Sequence, residues 1–166
     1  MLGKANRKLV DYWLSQWRGD ELPQWPLDTT PVSEFLPSLV AFELHPNDQL
    51  ICVLCGEYVR RLAGIDLLGQ DWIALAQPDD RGKRLHGYRV VAAGNVSHSM
   101  RYGKHHTGEV HYIEEVLLPF AERAGGIFPV LAHLSWRPTD AATPEGQEFA
   151  NNRATPDETG IIPLNA

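Results

Sequence analysis

The chain is 166 residues long, 43% hydrophobic and 22% charged, which fits one globular domain with some additional chain rather than a disordered or collagenous protein. Its net charge of −6 argues against nucleic acid or an anionic membrane as partner, the only local basic patch being Arg81–Arg89. Nothing reads as a signal peptide or membrane span, so a cytoplasmic location is expected.

The first predicted element is a helix from about Asn6 to Arg18. Leu9, Trp13 and Trp17 recur every fourth residue, Val10 and Leu14 widen the stripe, and Gly19 ends it. Pro23, Pro26, Pro31 and Pro37 then impose an extended connection, with a short helical turn over 31–36. The segment 39–45 alternates as a strand, 46–48 is a turn, and 49–55 is a second strand, apolar on both faces as though covered on both. Cys52 and Cys55 have CxxC spacing, but residues three apart in a regular strand point to opposite faces, so two buried free thiols are expected.

The stretch 56–69 reads as a short helix closed by Gly64 and a helical turn closed by Gly69. A further helical turn covers about 72–75. Asp79 and Asp80 open a longer helix ending at Gly94, with Leu85, Tyr88 and Val91 or Ala92 inward. Strands over 95–103, 109–120 and 127–136 follow. The remaining chain, 138–166, is expected to be a disordered tail after an N-terminal region 1–37 and a domain 38–137. Two strands, short helices and three strands close as an α+β domain: one five-stranded antiparallel sheet with helices on one face.

Several constellations compete for function. Gly64 and Gly69 have the GxxxxG spacing of a phosphate loop, but Gln70 and Asp71 stand where Lys and Ser/Thr are needed, so helix stops are the better reading. His98, His105, His106, His111 and His133 all fall in the C-terminal sheet, without a ligand-spacing motif for a metal. His86, one step from the inward stripe, is expected to face solvent. Glu114 and Glu115 must point to opposite faces; a buried one needs a partner such as Arg61 or Arg101.

The element order, with LVDYWLSQWRGDELPQWPLD, FLPSL, GIDLLGQDW and YIEEVLLPF in sequence, resembles the small PAS-like family of stand-alone alphaproteobacterial PAS proteins over about Leu9 to Trp136. The chain departs from that family at Glu57, Tyr58 and Arg60–Arg61. The resemblance implies a sensory or interaction module with no catalytic residues, acting through a small-molecule ligand or a signalling partner such as a histidine kinase. It carries no effector segment or particular cofactor with it. It also implies homodimerisation through the N-terminal helix, with Leu9, Trp13 and Trp17 as the interface, or else packing of that helix on its own sheet. Tyr58, Trp72, Tyr88, His98, Tyr112 and Glu114 are the expected ligand-binding residues. The alternative is a small α+β enzyme using His98, Glu114 and His133 as an acid–base set.

Overall fold

The computed structural model describes residues 2–104, 107, 109–138 and 158–162. Helix α1 (Lys4–Ser15) precedes a 3-10 segment (Thr30–Ser38), strands β1 (Leu39–Leu44) and β2 (Leu50–Cys55), and helices α2 (Glu57–Ala63) and α3 (Pro78–Ala92). Strands β3 (Val96–Lys104), β4 (Val110–Pro119), β5 (Phe128–Pro138) and β6 (Glu158–Ile162) complete it. The antiparallel sheet has the order β2-β1-β5-β4-β3-β6. Its first five strands are those expected; β6 adds an outer strand from a region read as tail. Residues 139–157 and 163–166, like His105 and His106, lie outside the described residues.

Strand alternation sorts the core into two layers. Val40, Phe42, Leu44, Ala132 and Leu134 face α2 and α3, where they meet Val59, Leu67, Tyr88 and Val91. Leu39, Ala41, Val116, Leu118 and Leu131 face the other side and meet Leu9, Val10 and Trp13 of α1 with Val32 and Phe35 of the 3-10 segment. Helix α1 thus packs on its own sheet. Leu9 and Trp13 are fully buried there, and Trp13 Nε1 donates to the Pro119 carbonyl at 2.9 Å, so these two side chains are not available to a dimer interface. The helix stops at Ser15, and Trp17 lies beyond it, edge-on to Trp13 with ring centroids 5.1 Å apart. No helix among the described residues is long and apolar enough to cross a membrane.

Gly64 ends α2 in the left-handed conformation (φ +71°), as its sequence position predicts. Gly69 does not end a helix. It sits at φ +76° in a turn where Gln70 N donates to Leu67 O at 2.9 Å. The turn delivers the next residues to the outer edge of β2. Gly69 N donates to Cys52 O (2.8 Å), Cys52 N to Gln70 O (3.0 Å), and Trp72 N to Leu50 O (2.8 Å), while Asp71 Oδ1 accepts from Leu50 N (3.1 Å). An otherwise open strand edge is covered by this loop. The segment 72–75 is a turn rather than a helix, and Val53 is exposed, so β2 is not covered on both faces.

The β1–β2 register runs from Ala41↔Leu54 to Phe42↔Cys52, leaving Val53 as an extra residue in a β-bulge. The bulge reverses the alternation. Cys52, opposite Phe42, and Cys55, opposite Val40, therefore share the helix-facing side, contrary to the expectation for a regular strand. Both are free thiols. Burial, with Cys55 next, pushes the Cys52 thiol up to about 12, so it behaves as a core residue.

Candidate functional site

The expected ligand-binding residues do not converge on one cavity. Trp72 and Tyr88 belong to the helix-facing layer, against Phe42 with centroids at 5.9 Å and 5.5 Å. Burial raises the Tyr88 hydroxyl well above its ordinary value, and the nearby Glu115 carboxylate acts in the same direction. Around them lies a polar group. Arg84 stacks over Trp72 at 4.2 Å and donates to its carbonyl at 2.6 Å, and Arg101 Nη1 binds Glu115 Oε2 at 2.9 Å. Glu115 thus has the Arg101 partner that its burial demands, whereas Arg61 pairs with Glu57 on the surface of α2.

His98, Tyr112 and Glu114 lie on the opposite face, toward α1. Tyr112 meets Tyr102 edge-on and its hydroxyl approaches Met100 Sδ at 2.9 Å. Glu114 is the centre of a largely buried network. Its Oε1 accepts from the main-chain N–H of Gly3 at 2.7 Å and lies 2.9 Å from His98 Nε2. Burial alone would raise its pKa, but the Gly3 N–H, the Asn6 amide and His98 outweigh burial and hold the carboxyl below the usual range.

Asn6, fully buried on α1, places Oδ1 2.6 Å from His133 Nδ1, so the neutral imidazole donates from that nitrogen. Among the described residues its Nδ2 makes no well-formed hydrogen bond, yet it lies near enough to Glu114 to favour the ionised carboxylate. Burial drives the His133 imidazole down to about 4, with Glu114 opposing, so His133 is neutral at physiological pH. Asn6 was not among the sequence candidates, because its partner is 127 residues away.

His133 also forms part of a cleft of about 470 Å³. Phe35 and Ser38 of the 3-10 segment, Tyr58 and Leu62 of α2, and Leu134, Ser135 and Trp136 of β5 supply most of its wall. Tyr58, half-exposed, meets Trp136 edge-on at 5.8 Å, and Phe35 meets His133 at 5.1 Å. This cleft opens where β1 has ended: the β1–β5 register stops at Leu39↔His133, while β5 continues to Pro138 alongside β4. Of the six expected ligand residues only Tyr58 lines it. The pair His98–Glu114 is within hydrogen-bond reach but does not line it either, which separates the expected acid–base set from His133. His86 is exposed on α3. Among the described residues no group of three or more His, Cys, Asp or Glu is placed to hold a metal.

The sequence model of the PAS domain family matches residues 1–134. No curated protein matches the chain. Similar solved structures include the PAS domain of BvgS from Bordetella pertussis, at 12% identity and TM-score 0.47, covering 74% of this chain and 95% of that one. A fungal LOV-domain photoreceptor matches at 12% identity and TM-score 0.45, covering 80% and 94%. VqmA from Vibrio cholera, solved as a ligand–DNA complex, matches at 16% identity and TM-score 0.47, and the match covers 66% of this chain but only 51% of that one. With a five-stranded antiparallel core sheet, α2 and α3 on one face and a family match over most of its length, this chain belongs to the PAS domain family, a family of sensory and signalling domains.

Proposed function

We propose that this PAS domain works by binding in the cleft between the 3-10 segment, α2 and β5, and that α1 carries the consequence to a signalling partner such as a histidine kinase. One observation carries the reading: His133 belongs at once to the cleft wall and, through its 2.6 Å hydrogen bond to Asn6, to the buried anchor of α1. An occupant that moves the imidazole must either move Asn6 or break that bond. Because interior side chains are close-packed, such a shift is passed to neighbours rather than absorbed.

The cleft has the composition of a binding site. Aromatic and aliphatic walls supply apolar area, and a few polar groups, Ser38, Ser135, Arg61, His111 and His133, supply orientation. The helix-facing layer, by contrast, is filled by Phe42, Leu50, Leu67, Tyr88 and Val91. A homodimer built through α1 would use its outer side, where Leu14 is exposed, since Leu9 and Trp13 are occupied internally.

Native mass spectrometry of the protein purified from its own host, beside a Tyr58→Ala, Trp136→Ala double variant, tests the binding claim. A retained species lost from the variant supports it. A species held equally by both proteins places binding elsewhere.

A further inference from the structure

Among the described residues, one wall of the cleft is a strand edge that no other strand covers. Phe120 N donates to Pro129 O at 3.1 Å, so Pro129 directs its main-chain carbonyl toward β4. The β4–β5 register then runs without a shift to His111↔Pro138. By strand alternation, Leu131, His133 and Ser135 also direct their main-chain groups to β4, and Val130, Ala132, Leu134 and Trp136 direct theirs to the other side. Val130 and Ala132 meet Phe42 and Val40 of β1 there. Trp136 lies beyond the end of β1, and among the described residues no hydrogen bond to its main chain is found on that side. Chain entering β1 comes from the 3-10 segment ending at Ser38, with Pro37 before it, and does not extend the pairing.

We propose that the cleft accepts an extended peptide of a partner protein, which adds to β5 as an antiparallel strand in line with β1. This deepens the proposed function and rests on the cleft being its binding site. A strand supplies what the wall lacks, a main-chain donor and acceptor for Trp136, whereas an apolar small molecule leaves both unmet. The walls specify alternate side chains. Toward the helices the strand would meet Tyr58, Leu62, Leu134 and Trp136, which favour β-branched apolar residues. Toward α1 it would meet Ser38, His133 and Ser135, which favour hydroxyl-bearing ones. Arg61 also lines the cleft, and its guanidinium, paired with Glu57 on α2, has donors enough to meet an acidic residue on the helix side of the peptide as well. From Leu134 to Pro138 the half-edge is about 13 Å long, four steps of roughly 3.3 Å, and faces about five residues of a peptide.

The test is a heteronuclear NMR titration of the full chain with the peptide acetyl-Glu-Thr-Val-Thr-Val-Thr-amide, to about 1 mM. Two further ligands are run beside it: the same peptide with alternate amides N-methylated, and indole-3-carboxylate as a small aromatic acid. Strand addition predicts shifts centred on Leu134–Trp136, Ser38 and Tyr58, slowed exchange of the Trp136 amide, and at least tenfold weaker binding of the N-methylated peptide. Equal binding of both peptides, shifts centred elsewhere, or no peptide binding overturns it. If the indole acid alone shifts the cleft resonances, the strand proposal fails and cleft binding stands. If neither ligand does, both fail.

Discussion

Glu114, in the middle of β4, accepts a 2.7 Å hydrogen bond from the main-chain N–H of Gly3 at the start of α1, across 111 residues of sequence. The first N–H groups of a helix have no partner within it, and a carboxylate there also meets the positive end of the helix dipole. A Cβ built on residue 3 falls well inside van der Waals contact with Glu114 Oε2, the movable end of a side chain, so a larger residue there would displace the carboxylate. Glu114→Ala should therefore cost about 1.5–3 kcal/mol, the range for a hydrogen bond to a charged group left unmade. Amide exchange in α1 should accelerate while exchange in α3 stays as it was.

His133 makes the fold acid-sensitive. Its folded pKa of about 4 lies below its ordinary value, so the unfolded chain binds more protons between about pH 6.5 and 4. Stability is full above that window and falls as pH drops through it, by at most about 3–4 kcal/mol at about 1.4 kcal/mol per pKa unit. Glu114, its folded pKa depressed, adds a loss in the same direction below the ordinary carboxylate range. Denaturant melts at pH 7 and 5 should give the larger drop for the parent chain and a flattened dependence for His133→Gln.

Glycines in different settings should respond oppositely to alanine. At Gly56, which joins β2 to α2, a Cβ would press on the carbonyl oxygens of Leu36 and Pro37, and backbone oxygens cannot swing aside. Gly56→Ala should cost about 1–3 kcal/mol, the usual scale of overpacking. Gly82 and Gly87 are exposed on α3, with nothing near an added Cβ. Alanine there should stabilise by about 0.5–1 kcal/mol each, by raising helix propensity and restricting the unfolded chain. Thermal melts of the three single variants check the signs.

The two thiols should differ in reactivity. Cys52 is fully buried and its thiol sits near pKa 12, while Cys55 is partly exposed and raised less, chiefly by burial. Iodoacetamide at pH 8 followed by peptide mass analysis should modify Cys55 first and leave Cys52 unmodified until the chain unfolds. Modification of Cys52 in the folded protein would contradict its burial in the helix-facing layer beside Phe42.

Much of the architecture was legible because it depends on local pattern. Alternation located β1 and the three C-terminal strands, and the acidic start and Gly94 stop located α3. The opposite faces of Glu114 and Glu115 follow from the two-residue period alone. Two features were not legible because they are decided by partners distant in sequence. Nothing in the residues around Val53 announces an extra residue in β2, since a bulge is defined by the strand opposite, and that bulge reverses the facing of Cys55. Gly69 looks like a helix stop by composition, yet its role is to turn 70–72 onto the edge of β2. The site was divided for the same reason. Aromatic and polar residue types nominated Tyr88, His98 and Glu114 together, and only the tertiary fold separates the two faces and joins His133 to Asn6.

The central claim, that the cleft and α1 are mechanically linked, can be tested without knowing the occupant. Ser135→Cys in a Cys55→Ser background places one reactive thiol in the cleft wall, Cys52 being buried. Benzylmaleimide coupled there fills the space, and hydrogen exchange is then compared before and after coupling. The account predicts a several-fold change in exchange over α1, with α3 unchanged, and loss of that change when Asn6→Ala removes the bond to His133. Exchange in α1 that is indifferent to a filled cleft would contradict it.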